Sequence, residues 1–183
     1  VTLTTLAGLP LPILPLQILW KNLITDSFPA MSLIFEKGEG VMNTSPRREK
    51  SILDKTYGFM LFAGLLNLLA CGTVYLLGLY RGMDIATIRT MVMTTDVLFE
   101  LSFIFSCRSS KPLRKIGIFS NKFLNVSIII AGILQLGLLY SFVGPLFSLV
   151  PLSLMTWLYM IPLGLSGVII YEIYKEIRYR KRK

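Results

Sequence analysis

Long apolar stretches alternate with short polar ones along this chain. Five of the stretches are long enough, at roughly 20 residues each, for a helix to cross a bilayer. We predict these spans at 16–35, 57–80, 90–107, 123–143 and 154–173. Residues 1–9 are mostly apolar but too few to span, so we expect them to be the end of a preceding transmembrane helix. Three prolines within residues 10–15 should end that helix. The predicted fold is all-α, a multi-pass transmembrane helical bundle of five full spans plus the end of a preceding one.

The composition agrees with a lipid-embedded chain. Of the 183 residues 54% are hydrophobic, and 16% are charged, where a soluble domain carries about 25%. The mean hydropathy is +0.65. There are two cysteines and no histidine. The sequence therefore indicates no disulfide framework, and it gives little support to zinc or soft-metal chemistry.

Lysines and arginines are divided unequally between the two ends of the predicted spans. Of 19 such residues, 16 fall in the loops 36–55 and 108–122 and in the tail 175–183, which share one side of the membrane. The other side holds Lys21, Arg81 and Arg89. Because cytoplasmic loops carry the excess of positive charge, we predict a cytosolic C-terminus. The net charge of +9 is thus explained by the basic loops on one side of a lipid bilayer, and we expect no nucleic-acid partner.

The first full span contains polar side chains that are costly in a membrane unless they are satisfied. Asn22, Thr25 and Asp26 have the spacing i, i+3 and i+4, which places them on one helix face. Their carboxamide, hydroxyl and carboxylate oxygens suit Ca²⁺, Na⁺ or Mg²⁺. Pro29 cannot donate to the carbonyl of Thr25, so we expect the helix to loosen there and line a polar cavity. Either Asn22 or Thr25 taken alone would be explained by hydrogen bonding between helices.

The third span carries two acids at similar depth. Asp96 and Glu100 are four residues apart and share a face. Together with Asp26 they would repel one another unless a bound cation or protonation removed the repulsion. Pairing with a buried lysine is the alternative, but we see no lysine or arginine in the middle of a span. We therefore predict that Asp96 lies in or beside a cation cavity.

Other polar residues of the spans have simpler explanations. Asn67 and Gln135 occur singly, and we interpret both as hydrogen-bonding groups between packed helices. Glu172 and Glu176 lie near the basic end of the last span. Snorkelling, or pairing with Lys175 and Arg178, would satisfy them.

Three segments resemble the calcium-transporting P-type ATPases. Residues 8–30, GLPLPILPLQILWKNLITDSFPA, are similar to the loop and sixth transmembrane helix of that family. Met42 to Arg48 is similar to the loop that follows, and Glu100 to Ser109 to the family's eighth helix and its exit. The resemblance extends over essentially the whole chain. It implies that residues 10–183 are the C-terminal transmembrane domain, helices six to ten, of such a pump.

The resemblance implies roles for particular residues. Asn22, Thr25 and Asp26 match calcium ligands of the sixth helix, and Glu100 matches a ligand of the eighth. Asp96 has no assigned counterpart but remains a candidate ligand from its position. Ser27 stands where many members have glycine. The family's phosphorylation motif and remaining ligands, on the fourth and fifth helices, are absent from this sequence, so no catalytic residue is expected here.

The function that this resemblance implies is ATP-driven export of Ca²⁺ from the cytosol. Mg-ATP would act in domains missing from this chain, which would be inactive alone. The partners would be the lipid bilayer and the rest of a monomeric pump. A P-type pump for Mn²⁺, Na⁺ or H⁺ is the alternative within this class. A secondary transporter or an assembly subunit without ATPase activity is the alternative from another class.

Overall fold

A computed structural model describes residues 1–36 and 56–181 of the chain. These residues are largely helical and include no β-strand. The predicted loop motif from Met42 to Arg48 lies outside the described residues, as do the last two residues of the basic tail. The all-α prediction is confirmed for the described part of the chain.

Eight α-helices follow one another in the described residues. They are α1 (Thr2–Leu6), α2 (Pro15–Asn22), α3 (Phe28–Ser32), α4 (Tyr57–Tyr80), α5 (Ile85–Cys107), α6 (Leu113–Ile116), α7 (Lys122–Tyr140) and α8 (Leu154–Arg180). A π-helical turn connects α2 to α3, and short 3-10 helices lie at Leu33–Phe35, Ile118–Ser120 and Gly144–Phe147. Within the described residues, α4, α5, α7 and α8 are long and apolar enough to cross a membrane.

One of the four long helices has the predicted bounds, and the other three begin or end at different residues. The second span is a single helix with the predicted bounds. Helix α5 begins at Ile85 rather than at residue 90, because the carboxylate of Asp84 caps it by accepting from the Ala86 N–H. Helix α8 continues to Arg180 instead of ending at residue 173. Helix α7 ends at Tyr140, three residues early, where the chain becomes extended at Ser141.

The first predicted span is helical from Pro15 to Phe35 but changes helix type three times along its length. It is therefore not one of the four uninterrupted helices of membrane-crossing length among the described residues. The prediction of five full spans becomes four continuous helices and one interrupted helical segment. That interruption falls on the predicted cation-binding residues.

Helix α5 occupies the centre of the bundle. It packs chiefly against α8 and α4, and the segment Pro15–Phe35 lies against α5 and α7. Of the most apolar 18-residue window in each helix, 67% is buried in α5 but only 17% in α4 and 22% in α8. Glycines let α8 approach closely, since a Cβ on Gly167 would come within 2.3 Å of the Phe99 ring. The other long helices thus leave most of their apolar surface uncovered by the described residues, whereas α5 is shielded inside the bundle.

Candidate functional site

The helix that carries the predicted ligands widens at those residues. Leu23–Ser27 forms a π-helical turn between α2 and α3. Pro29 lies just beyond this turn and has no N–H to donate, so the regular hydrogen-bond ladder cannot pass through it. Single π-turns inside α-helices are rare and are frequent at functional sites. The predicted loosening of the helix before Pro29 is confirmed.

The three predicted ligands of this segment point in different directions. Thr25 is buried, and its hydroxyl donates to the carbonyl of Lys21 (3.0 Å) and lies 3.4 Å from Asp26 Oδ1. Asn22 and Asp26 are both exposed in the described part of the chain. Their side chains therefore lie on a face of the segment that the neighbouring described helices leave uncovered.

The acids of α5 meet a lysine. The Lys21 Nζ lies 2.8 Å from Asp96 Oδ2 and 2.7 Å from Glu100 Oε1, and all three side chains are largely shielded from solvent. The expectation that no lysine or arginine reaches the depth of these acids is wrong. Lys21 was assigned to the end of its span, but the fold brings α2 against the middle of α5. The proposed role of Asp96 and Glu100 as metal ligands stays a prediction.

Asn67 completes this group, which we call the central cluster: Lys21, Asn67, Asp96 and Glu100. Asn67 of α4 donates its amide to Asp96 Oδ1 at 2.7 Å, and its carbonyl oxygen accepts from the Cys71 thiol at 3.3 Å. Both oxygens of Asp96 therefore have partners. Glu100 Oε2 is buried without a hydrogen-bond partner among the described residues, as is Thr95 Oγ1 one residue from Asp96.

A cleft of about 530 Å³ opens beside the central cluster, between the N-terminal segment and α4. Lys21, Asn67 and Asp96 contribute to its wall together with apolar side chains. Asp96 thus lines this cleft, and its predicted position at a cation cavity remains a prediction. Neither the central cluster nor the rest of the described chain gathers three or more acidic, cysteine or histidine side chains in metal-binding proximity.

Further hydrogen bonds between polar side chains join other helices to α5. Gln135 of α7 accepts from the Trp20 indole N–H at 3.0 Å and donates to the Thr94 hydroxyl at 3.4 Å, so it ties α2 to α7 and α5. Asn67 similarly ties α4 to α5. The interpretation of Asn67 and Gln135 as hydrogen-bonding groups between packed helices is confirmed.

The basic end of the bundle holds a different group, which we call the end cluster: Glu36, Arg108, Glu172 and Lys175. The buried Arg108 guanidinium binds Glu36 through two nitrogens, at 2.7 and 2.9 Å. Lys175 Nζ lies 2.9 Å from Glu172 and donates to the Ser106 carbonyl at 2.7 Å. The predicted Glu172–Lys175 pairing is therefore confirmed.

Glu176 pairs differently from the prediction. Its carboxylate lies 2.7 Å from Arg114 Nη2 and 3.2 Å from Arg180 Nε. Arg180 is reached because α8 continues as a helix beyond the predicted span and places it four residues from Glu176.

Comparison with known proteins agrees with this architecture. The family model described as "Cation transporting ATPase, C-terminus" matches residues 10–177. The Calcium-transporting ATPase of Bacillus subtilis is 30% identical over 182 residues, which cover 97% of this chain and 20% of that protein. The human Calcium-transporting ATPase type 2C member 1 is 31% identical over 191 residues, covering 100% of this chain and 20% of its own length.

A yeast relative extends the range of organisms. The Calcium-transporting ATPase 1 of Saccharomyces cerevisiae is 32% identical over 155 residues, which cover 81% of this chain and 16% of that protein. The chain thus spans about a fifth of the length of the curated relatives that it matches. The family match extends over most of the helical bundle, and the resemblance to calcium-transporting P-type ATPases is confirmed. The chain belongs to the cation-transporting ATPases and corresponds to their C-terminal membrane domain.

Proposed function

We propose that this chain is the membrane-embedded cation-binding and translocation part of an ATP-driven Ca²⁺ pump. The curated relatives are named calcium-transporting ATPases, and they are about five times longer than the matched region. The parts that bind and hydrolyse Mg-ATP would lie in the remainder of the pump. This chain would contribute the membrane helices through which the ion passes.

The π-helical turn at Leu23–Ser27 is the observation that carries this proposal. It displays an exposed carboxylate at Asp26, and the carboxamide of Asn22 is exposed one residue before it. Exposure of such groups to hydrocarbon would cost several kcal/mol, so a partner must cover them. We propose that helices earlier in the pump cover this face and supply the other oxygen ligands.

The chemistry of these groups favours a hard divalent cation. Ca²⁺ takes six to eight oxygen ligands from carboxylates, carbonyls and neutral side chains in flexible geometries. Asn22, Thr25 and Asp26 supply three kinds of oxygen, and Asp26 supplies the negative charge. In a site that has replaced the hydration shell of the ion, that charge stabilises the bound cation more than a neutral ligand does.

The test is radioactive Ca²⁺ uptake by membrane vesicles containing the full-length pump, with phosphoenzyme formation from ATP as the second readout. Asp26→Asn keeps the shape but removes the charge, so we expect it to abolish Ca²⁺-dependent phosphorylation while the protein still inserts. Thr25→Ala should reduce apparent Ca²⁺ affinity by about tenfold or less, since water can replace one neutral ligand.

Near-normal uptake by Asp26→Asn would refute the proposed site. The transported ion is identified by repeating phosphoenzyme formation with Ca²⁺, Mn²⁺, Na⁺ and H⁺ in turn. Activation by one of the other ions, with none by Ca²⁺, would refute the calcium assignment but keep the pump. The absence of phosphoenzyme with every ion would refute the pump itself. We further propose that the pump works as a monomer.

We also propose that the C-terminus is cytosolic, on the basis of the unequal distribution of lysine and arginine. A single cysteine placed at Ser110, after replacement of Cys71 and Cys107, should react with a membrane-impermeant reagent only when the membrane is opened. Labelling of Ser110→Cys in intact cells from outside would reverse the proposed orientation.

A further inference from the structure

Gln135 of α7 is a buried amide, and both of its polar atoms are committed to other helices. Its Oε1 accepts from the Trp20 indole N–H of α2 at 3.0 Å, and its Nε2 donates to the Thr94 hydroxyl of α5 at 3.4 Å. An indole has one donor and no acceptor, so this bond satisfies the polar atom of Trp20 completely. The amide of Gln135 and the ring of Trp20 therefore hold each other in one orientation.

The same side of α2 has a second fixed contact. Gln17 lies three residues before Trp20, on the same helix face, and its buried amide donates to the Phe147 carbonyl at 2.9 Å. The Phe147 ring packs edge-on against the Trp20 ring, with the two ring centroids 5.5 Å apart. Helix α7 and the 3-10 helix Gly144–Phe147 therefore set the rotation of α2 through side chains that have little freedom to move.

These contacts matter for the predicted ligands because Asn22 leaves the helix on another side. It follows Trp20 by two residues, which is about 200° around an α-helix, and its side chain is exposed, as is that of Asp26. A rotation of α2 by about 15° would move an atom ~5 Å from the helix axis by roughly 1 Å. Calcium–oxygen distances span only about 2.3–2.6 Å, so a displacement of that size would remove a ligand.

Neither the backbone nor Lys21 fixes this rotation as firmly. The π-helical turn Leu23–Ser27 begins directly after Asn22, so the regular hydrogen-bond ladder does not continue from α2 into α3. The Lys21 ammonium contacts two acids of α5 at 2.8 and 2.7 Å, but its flexible four-carbon stem can follow a small rotation of the helix. The planar groups of Trp20 and Gln135 cannot follow it without breaking their hydrogen bond.

We propose that Gln135 is a positioning residue for the cation site around Asp26. It holds the Trp20 indole and thereby the rotation of α2, so that the oxygens of Asn22 and Asp26 stay at ligand distance from the ion. This inference rests on the proposed pump function. It gives α7, a helix that supplies no predicted ligand, a part in the affinity of the pump for its ion.

The experiment measures phosphoenzyme formation by the full-length pump as a function of Ca²⁺ concentration. Gln135→Leu removes the amide but keeps a side chain of similar size. We expect half-activation to require about tenfold more Ca²⁺, as is typical when a residue that orients metal ligands is removed. The phosphoenzyme level at saturating Ca²⁺ should stay near that of the wild type, because the ligands themselves remain. Wild-type half-activation in a folded Gln135→Leu pump would overturn the proposal.

A second variant keeps the test decisive if Gln135→Leu does not fold. Trp20→Phe keeps an aromatic ring but removes the indole N–H, so it should raise the Ca²⁺ requirement by a similar factor. Combining it with Gln135→Leu should add little, since both changes break the same hydrogen bond. Wild-type half-activation in Trp20→Phe would overturn the proposal, as would fully additive shifts in the double variant.

Trp157→Phe is the matched control for a purely structural role. The Trp157 indole of α8 donates to the Tyr140 hydroxyl of α7 at 2.8 Å, so this change also removes one tryptophan hydrogen bond between two helices of the bundle. It does not touch α2, and half-activation by Ca²⁺ should stay at the wild-type value. A shift equal to that in Trp20→Phe would overturn the proposal, because loss of any such bond would then lower the affinity.

Two further arms separate this inference from the proposed function. If the wild-type pump forms no Ca²⁺-dependent phosphoenzyme, the calcium function fails before Gln135 is tested. If the wild type responds to Ca²⁺ and Asp26→Asn does not, the proposed function holds. The Gln135 and Trp20 variants then decide the positioning role by themselves.

Discussion

The central cluster and the end cluster both join charged side chains of different helices, yet they differ in how completely these side chains are satisfied. In the end cluster, Arg108 binds both oxygens of Glu36 and also donates to the carbonyls of Gly117 and Ile118 at 3.1 Å each. The Glu172 carboxylate accepts from Lys175, from the Ser106 hydroxyl and from the Leu113 N–H. Each carboxylate oxygen of Glu36 and Glu172 has a partner.

The central cluster lacks this completeness. Glu100 Oε2 and the neighbouring Thr95 hydroxyl are buried without partners among the described residues. Asn22 and Asp26, one and five residues after Lys21, are exposed. Buried polar groups are nearly always hydrogen-bonded in stable structures, so an exception calls for an explanation. The difference teaches that every carboxylate oxygen of the end cluster is used to hold helices together, whereas the central cluster leaves one carboxylate oxygen without a partner among the described residues.

The largest expected effect comes from breaking the end cluster. Arg108→Met would remove the two bonds from the buried guanidinium to Glu36 and its bonds to the carbonyls of Gly117 and Ile118, none of which a methionine side chain can replace. Truncating one partner of a buried ion pair costs about 3–5 kcal/mol, and we expect a loss of this size in the free energy of unfolding measured by SDS titration.

Arg114→Met is the matched control for this experiment. Arg114 also pairs with a glutamate at 2.7 Å, but its side chain is 69% exposed. Exposed pairs contribute about 0–1 kcal/mol. Equal losses in the two variants would remove the distinction between a buried structural cluster and an ordinary surface pair. Ca²⁺ affinity should change in neither variant that remains folded.

A smaller loss of stability is expected from a substitution that disturbs the packing of α5 against α8. In Gly167→Ala, the new Cβ would lie 2.3 Å from the Phe99 ring, which stacks on Phe103 and has little freedom to move. Overpacking of this kind costs about 1–3 kcal/mol, and SDS titration should show it. Gly132→Ala in α7 is the control, since its Cβ would meet no other atom within 4 Å and the substitution should be neutral or stabilising. A control destabilised as much as Gly167→Ala would mean that the loss in Gly167→Ala does not come from the contact with Phe99.

The smallest expected effect comes from comparing two buried threonines of α5 that differ in their hydrogen bonds. Thr95→Val replaces a buried hydroxyl that finds no partner in the described part of the chain with a methyl group of similar shape. We expect unchanged or slightly increased stability, by about 1 kcal/mol or less. Thr90→Val should instead destabilise by about 1–3 kcal/mol, because the Thr90 hydroxyl donates to Ala86 and accepts from the Val150 N–H at 3.1 Å. A loss of stability in Thr95→Val equal to that in Thr90→Val would contradict the free state of the Thr95 hydroxyl.

The local pattern of apolar residues and prolines was sufficient to predict the long helices and the break in the first span. Apolar runs predicted α4 with its observed bounds, and Pro29 predicted the loosened turn before it. The face shared by Asp96 and Glu100 also follows from helical spacing alone, and both acids contact the same Nζ. These features depend on residues within one or two turns of each other, which is why the sequence predicts them.

The sequence by itself therefore determined the helical bundle, the position of the helix interruption and the residues that carry oxygen at membrane depth. Only the tertiary structure decided that Lys21 binds Asp96 and Glu100, because this contact depends on the rotation and depth of α2 against α5. The exposure of Asn22 and Asp26 was decided in the same way, by which face of the segment α5 and α7 cover. Helical periodicity determines which side chains share a face of one helix. Which neighbouring helix covers that face depends on how helices distant in sequence pack together.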